Sequence, residues 1–421
     1  MSALYESAGA LRAATSLDVA RIRGDFPILA QEVNGHPLAY LDNAASAQRP
    51  RAVIEAITRC YEEYYSNVHR GVHTLSARST EAYEGAREQI RRHLGAPSAR
   101  EIVFVRGTTE AINLVAKSYG PAVVGAGDEV LVTAMEHHSN IVPWQMLCEA
   151  QVARLVVAPI DERGDLVVEE LERLLGPRTR IVALAQVSNA LGTINPVKEV
   201  CEMAHRAGAV VLVDGAQAVP HLPVDVVELG CDFFAFSGHK AFGPSGIGAL
   251  WGRRELLEAM PPWQGGGSMI SRVRFERTEY AELPHKFEAG TPAIAPAIGL
   301  GAALEYLQEA GLEAVAAWEH GLVEHACEGL GSMPGVRLIG TPRERASVVS
   351  FVVEGVHAHD VGTVLDHEGI AVRAGHHCAQ PLMEIYGVPA TVRASFALYN
   401  THEEADRLIA AVAKTQEMFG A

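Results

Sequence analysis

The chain has 421 residues, 48% of them hydrophobic and 20% charged, which suits a large buried core divided between two domains rather than disorder. Thirty-five basic against fifty-one acidic residues leave a net charge of −16, which disfavours attraction to phosphate backbones or anionic lipid, so neither nucleic acid nor a membrane is an expected partner. The start holds Glu6, Arg12 and Asp18 without a sustained apolar run, and the six cysteines (Cys60, Cys148, Cys201, Cys231, Cys327, Cys378) form no C-x-x-C pair, so a cytoplasmic protein with reduced thiols is expected.

From Glu101 to Trp251, short β-branched runs alternate with helical patterning. EIVFVRG is followed by TTEAINLVAKSYG, DEVLVTA by a helix near NIVPWQMLCEA, and RIVALAQVSN by PVKEVCEMAHRAG; AVVLVDG, CDFFAFSG and GIGALWG read as further core strands. The alternation predicts an α/β fold with a mostly parallel sheet between two helical layers. A Gly- and Pro-rich stretch, Pro261 to Gly267, punctuates the chain before helical patterning resumes at Ala295. Strands SVVSFVVEG and IAVRAG, with helices near HDVGTVLDHEG and HEEADRLIAAVAKTQ, predict a smaller C-terminal α/β domain. The expected division is 1–34 as an N-terminal arm on the small domain, 35–300 as the large domain and 301–421 as the small one.

Ligands of open parallel sheets bind beyond the carboxyl ends of the strands, and that edge is crowded here. Past EVLVTAM come Glu136, His137 and His138; past RIVALAQVS comes Asn189; past AVVLV come Asp214 and Gln217; past FFAF come Ser237, His239 and Lys240. Past VFVR, Gly107, Thr108, Thr109 and Glu110 open a helix, as an ordinary cap or as a phosphate site. Asp214 also fits a plain Asp-Gly turn. Lys240 has no charged neighbour in FFAFSGH and precedes AFGPSGIGAL, so it reads as a lysine pointing into a site, the desolvated kind that forms Schiff bases. Phosphate-binding helix start, buried acid, Schiff-base lysine and strand-end histidine are the needs of pyridoxal 5′-phosphate. No G-x-x-x-x-G-K-[ST] and no G-x-G-x-x-G opening a helix is present, which disfavours a nucleotide cofactor.

The segment RAGHHCAQP, from Arg373, sets Cys378 among two histidines and an arginine in a Gly/Pro-bounded loop, surroundings that favour thiolate. A buried thiol is the bland alternative. A metal set of His376, His377 and Cys378 ranks below a nucleophile, since adjacent residues seldom point at one ion, and no metal is expected. His320, Glu324 and His325 miss the H-E-x-x-H spacing and suit a solvated helix face. Arg393, alone in an apolar strand, suits either a surface ion pair or a bidentate grip on an amino-acid carboxylate.

Read together, YLDNAASAQRP, NVHRGVHTLSA, RGTTEAIN, MEHHSNIVPWQ, SNALGT, DGAQ, FSGHKAFGPSGIG, PPWQGGGSMI, FEAGTP, RAGHHCAQPLM and RASFALYNTHEE resemble the group II (SufS-like) cysteine desulfurases of the class V aminotransferase superfamily. The resemblance implies the fold type I architecture of pyridoxal-phosphate enzymes, with a seven-stranded sheet in the large domain, and a homodimer. It implies Lys240 as Schiff-base lysine, His137 stacked on the ring, Asp214 on the pyridine nitrogen and Gln217 on the phenolic oxygen. Thr109, Ser237 and His239 resemble phosphate ligands, with Thr108 beside them, and Thr291 resembles one supplied by the neighbouring subunit. Arg393 with Asn189 resembles the substrate-carboxylate site, Cys378 the residue that receives sulfur; Arg373, His69 and Arg70 match positions near the site.

The implied reaction takes L-cysteine to L-alanine with a persulfide on Cys378, passed to an acceptor protein for iron–sulfur cluster assembly. The short RAGHHCAQP loop resembles group II and implies dependence on an acceptor of SufE or zinc-binding SufU type. His359 in VHAHD matches a histidine of SufU-dependent members, and equally suits an ordinary helix start. The rival readings are a selenocysteine lyase on the same fold and a non-enzymatic sulfur carrier or scaffold.

Overall fold

The computed structural model describes residues 17–420. Seven strands form the central sheet: β1 (Ile102–Val105), β2 (Glu129–Thr133), β3 (Arg154–Ala158), β4 (Thr179–Ala185), β5 (Val210–Asp214), β6 (Phe233–Ser237) and β7 (Gly248–Gly252), in the order β1-β7-β6-β5-β4-β2-β3. Only β7 runs antiparallel to its neighbours. β1, β2, β6 and β7 are buried at every position, which is why they read as unbroken apolar runs: helices cover both faces. The edge strand β3 carries no such signal. Its first residue is an exposed arginine paired with Glu129, Leu155 and Val156 are half-buried, Val157 is exposed, and only Ala158 is buried.

Helix α1 (Thr74–His93) lies on the sheet and carries a buried Arg87, which pairs with Glu288 at 2.6 Å and Glu84 at 2.9 Å and lies over the Phe104 ring at 4.5 Å. Helix α2 (Thr108–Ser118) follows β1, and helix α3 (Ile294–Ala310) packs against α1. The expected division at 300/301 falls within α3, which ends at Gly311 with a positive φ of 82°.

The C-terminal unit is a four-stranded antiparallel sheet, order β8 (Val336–Ile339), β9 (Val348–Val353), β11 (Thr391–Ser395), β10 (Arg373–Gly375). Helices α4 (Leu312–Gly331), α5 (Ala358–His367) and α6 (His402–Phe419) bury their apolar sides against it. A capping box starts α6, with Thr401 and Glu404 exchanging side-chain-to-amide bonds of 3.2 and 3.1 Å. The described part of the N-terminal arm lies on this unit: Arg23 pairs with Glu404 at 2.8 Å and Asn34 donates to the carbonyl of Asp366 at 2.7 Å. The rest of that arm, residues 1–16, lies outside the described residues. A two-residue strand, Ala39–Tyr40, then pairs in parallel with Ile370–Ala371 and so carries Asp42 and Asn43 to the junction of the two units. Among the described residues no helix is long and apolar enough to cross a membrane.

Candidate active site

A cavity of about 610 Å³ opens where the carboxyl ends of β2, β4, β5 and β6 meet the C-terminal sheet. Thr108, Thr109, His137, Asn189, Asp214, Gln217, Ser237, His239, Lys240, Arg373, Cys378 and Arg393 all line it. Thr291 and His69 do not. Thr291 lines a separate pocket of about 480 Å³ with Trp263 and Gln264, and the His69 imidazole meets Glu84 at 2.8 Å, beside the His285 ring.

Lys240 follows β6 on a tight turn. Burial drives its amine down to about 8 from the usual 10.5, although Asp214 pulls the other way; Arg393 and Arg373 depress it further. Asp214 ends β5 fully inside the protein, and burial raises its carboxyl while Lys240 lowers it. The Asp-Gly step is set by packing as well as by turning: a Cβ at Gly215 would come within 2.0 Å of the Phe234 ring. His137 caps the short turn His138–Asn140, accepting from the Ser139 amide at 3.1 Å, and burial with Lys240 nearby lowers its imidazole to about 3, so its ring is neutral. Gln217 donates to the carbonyl of Ala44 at 2.7 Å and leaves its buried Oε1 unpaired.

The start of α2 is bonded into the site. Gly107, at φ 154°, is its N-cap, and a Cβ there would stand 3.0 Å from Ser237 Oγ. The Thr108 amide donates to that same Oγ at 2.9 Å, and the two hydroxyls lie 2.8 Å apart. Glu110 receives the Arg106 amide and guanidinium, so a plain capping role belongs to Glu110 and the hydroxyls face the cavity. His239 carries an imidazole lowered to about 4 by burial and Lys240. These groups fit pyridoxal phosphate: a depressed lysine, a buried acid, a neutral ring and hydroxyls at a helix start within one cavity.

The opposite wall is the Cys378 loop. His377 and Cys378 both adopt φ 54°, the left-handed region, and three bonds hold them there. The carbonyl of Cys378 accepts from the His138 amide at 2.7 Å, the carbonyl of His377 from Asn189 Nδ2 at 2.6 Å, and His138 Nε2 from the Gln380 amide at 3.0 Å. The twist turns the His377 ring inward onto Thr391 Oγ1 at 2.7 Å, while Cys378 faces solvent. The two histidines and the thiol thus diverge, and the bland reading of Cys378 as a buried thiol is corrected, since the other cysteines are buried or half-buried.

Arg393, on β11, is fully buried, and the surface ion pair open to it in the sequence is corrected accordingly. Burial lowers its guanidinium to about 10 despite Asp42. It donates to the carbonyl of Asn189 at 2.9 Å and to Asp42 at 3.3 Å, and its Nε is buried without a partner. Asn189 is thereby a strut between the arginine and the cysteine loop. Two residues carry more of the site than the sequence suggests. Asp42 also clamps Arg373, at 2.8 and 3.1 Å, and Glu136, the wholly buried neighbour of His137 in the chain, is raised to about 7 by burial while Thr133, Asn140 and the Ala185 amide donate to it.

Residues 39–408 match the family model of class-V aminotransferases. A cysteine desulfurase of Synechococcus elongatus is 56% identical over 403 residues, covering 96% of this chain; the chain spans only 64% of that relative's length. A probable cysteine desulfurase of Halalkalibacterium halodurans is 56% identical over 395 residues, covering 94% of this chain and 97% of its own. The crystal structure of the cysteine desulfurase CsdA from Escherichia coli superposes with a TM-score of 0.90 at 43% identity, covering 96% of this chain and all of that one.

Proposed function

The chain belongs to the class-V aminotransferases and, within them, to the cysteine desulfurases, and from that membership we propose that it converts L-cysteine to L-alanine with a persulfide on Cys378. One observation carries the reading: Lys240, Arg393 and Cys378 share a single cavity. Lys240 would hold pyridoxal phosphate covalently, Asp214 would partner its ring nitrogen, Gln217 its phenolic oxygen, and Thr108, Thr109, Ser237 and His239 its phosphate. The cofactor supplies an electron sink for charge developing at the substrate Cα.

The chain's own groups do the rest. Arg393, with a free Nε, takes the substrate carboxylate. Lys240, whose amine is neutral in good part near pH 8, removes the Cα proton and returns one to carbon later. The Cys378 thiolate attacks the substrate sulfur; the S–S bond forms as the Cβ–S bond breaks, and the carbon fragment, once protonated, leaves as alanine. The sum is balanced: cysteine plus the Cys378 thiol gives alanine plus the persulfide.

The protein works as a group II enzyme in the cytoplasm and hands sulfur to an acceptor protein for iron–sulfur cluster assembly. Support for a SufU-type acceptor comes from His359, which is exposed at the start of α5 and lines the cavity that Cys378 faces. A homodimer is supported by Thr291 standing outside its own chain's cavity and by fully solvent-exposed Val72 and Phe275. Persulfide transfer measured with each acceptor type, in wild type and in His359→Ala, tests the acceptor. Transfer to a SufU-type acceptor lost in the variant supports it, and equal transfer in both proteins overturns it.

A further inference from the structure

Glu136 and Asn140 bracket the short turn that follows His137, and a chain of buried hydrogen bonds runs through both. Glu136 Oε1 accepts from the Thr133 hydroxyl at the end of β2 and from the Ala185 amide at the end of β4, the latter at 3.0 Å, while Oε2 accepts from Asn140 Nδ2 at 2.6 Å. Asn140 Oδ1 in turn accepts from the Trp144 indole at 2.9 Å. The side chains of Thr133, Glu136, Asn140 and Trp144 are all buried, and none of them has a buried polar atom without a partner. The direction of the chain is forced. A peptide N–H and an indole N–H can only donate, so Trp144 fixes which way the Asn140 amide points, and Asn140 and Ala185 together require an acceptor on both arms of residue 136. A carboxylate meets that demand: burial works against its charge, and the three donors favour it.

The clamped turn reaches both walls of the cavity. The His137 ring lines it and is held by the Ser139 amide at 3.1 Å, and the His138 amide donates to the Cys378 carbonyl at 2.7 Å. Ala185 also lines the cavity and is the ladder partner of Asp214. We propose that Glu136 is a positioning residue for the reaction: by bolting this turn to β2 and β4, it fixes the His137 ring and the Cys378 loop relative to Asp214. This rests on the cysteine reading above and deepens it. Glu136 is not among the residues lining the cavity, so it acts through its neighbours and not on the substrate. A glutamine of the same shape breaks the chain. Its Oε1 can serve Ala185, but its Nε2 then meets Asn140 Nδ2, and flipping the Asn140 amide only moves the donor-to-donor clash to Trp144. The turn shifts to relieve the clash, and the His137 ring and the bond to the Cys378 carbonyl shift with it.

The test is a double-mutant cycle on the holoenzyme: wild type, Glu136→Gln, Trp144→Phe and the two combined, the last of which lets Asn140 flip and accept from the glutamine. Circular dichroism in the absorbance band of the protein-bound cofactor reports how firmly its ring is held, and single-turnover persulfide formation is measured beside KM for L-cysteine. In Glu136→Gln the dichroism per bound cofactor falls by about twofold or more and persulfide forms about tenfold more slowly, while KM changes by less than about twofold because Arg393 lies off the turn. The double variant regains about threefold of the lost rate, a coupling between two side chains that share one partner. A loss of thermal stability with dichroism and rate unchanged would make Glu136 a structural residue only and overturn the proposal, as would strictly additive losses around the cycle. If Glu136→Gln fails to fold, Asn140→Ala removes the donor to Oε2 and leaves Thr133 and Ala185 in place; it shows the same loss of dichroism, and a wild-type signal there would equally overturn the proposal. Wild type that forms no persulfide from cysteine would instead sink the underlying desulfurase reading and leave the dichroism comparison standing, so the two failures are distinct.

Discussion

The backbone carbonyl of Cys378 accepts a hydrogen bond from the amide of His138 at 2.7 Å, so the loop that presents the thiol is tied to the turn that carries His137. The His138 ring adds a second tie by accepting from the Gln380 amide at 3.0 Å. Replacing His138 by Ala keeps the first bond and frees the second. Cofactor absorbance should be unchanged while single-turnover persulfide formation slows by about tenfold, because the thiol loses its fixed approach. Rapid-quench measurement of the persulfide checks this, and an unaltered rate would show that the ring tie is immaterial.

Arg393→Lys keeps a positive charge but loses the planar fork. The expected outcome is a rise in KM for L-cysteine of about tenfold to a hundredfold with a smaller change in kcat, since the carboxylate grip is made in ground state and transition state alike. Steady-state kinetics decide it. A fall in kcat alone would place Arg393 elsewhere in the reaction.

The depressed amine of Lys240 has a pH signature. Its conjugate acid titrates at about 8 instead of 10.5, so the reaction of cofactor-free protein with pyridoxal phosphate should accelerate as pH rises through about 8 and level off above it. An acceleration that continues towards pH 10.5 would mean an amine exposed to water. Lys240→Ala should fail to develop the protein-bound absorbance at any pH.

Much of this site is legible in the sequence for a physical reason. Asp214 and Ser237 end, and Asn189 and Lys240 follow closely on, strands of one sheet, so local pattern alone brings them to one edge. Cys378 is marked by its Gly- and His-rich loop. Asp42 has no such marker: its partner Arg373 lies 331 residues away, and the strand that delivers it is two residues long. The edge strand β3 escapes notice because it lacks the full burial that makes its neighbours read as apolar runs. His69 and Thr291 match motifs, yet the fold of one chain leaves both outside the cavity.

Away from the site, Glu288 and Arg87 anchor α1 to the sheet. Burial alone would raise the Glu288 carboxyl, but Arg87, His285 and the Phe104 amide together pull it down to about 2 from 4.5. A carboxyl depressed in the folded state contributes stability that is present above the unfolded value and is lost as pH falls from about 4.5 towards 2. Arg87→Met should cost about 3–5 kcal/mol, because it leaves a buried carboxylate without its partner, and should flatten the acid limb of the stability profile. Urea titrations from pH 7 to pH 3 measure both. An unchanged acid limb would assign the acid sensitivity to other groups.

Sulfur from cysteine is expected to come to rest on Cys378. Holoenzyme is mixed with one equivalent of L-cysteine without any acceptor, and the protein-bound persulfide and released alanine are counted in wild type and in Cys378→Ala. The expected result is one persulfide located on Cys378 with matching alanine in wild type, and in the variant intact cofactor absorbance with no persulfide. Cysteine-driven sulfur transfer that continues undiminished in Cys378→Ala would rule Cys378 out as the residue that receives sulfur.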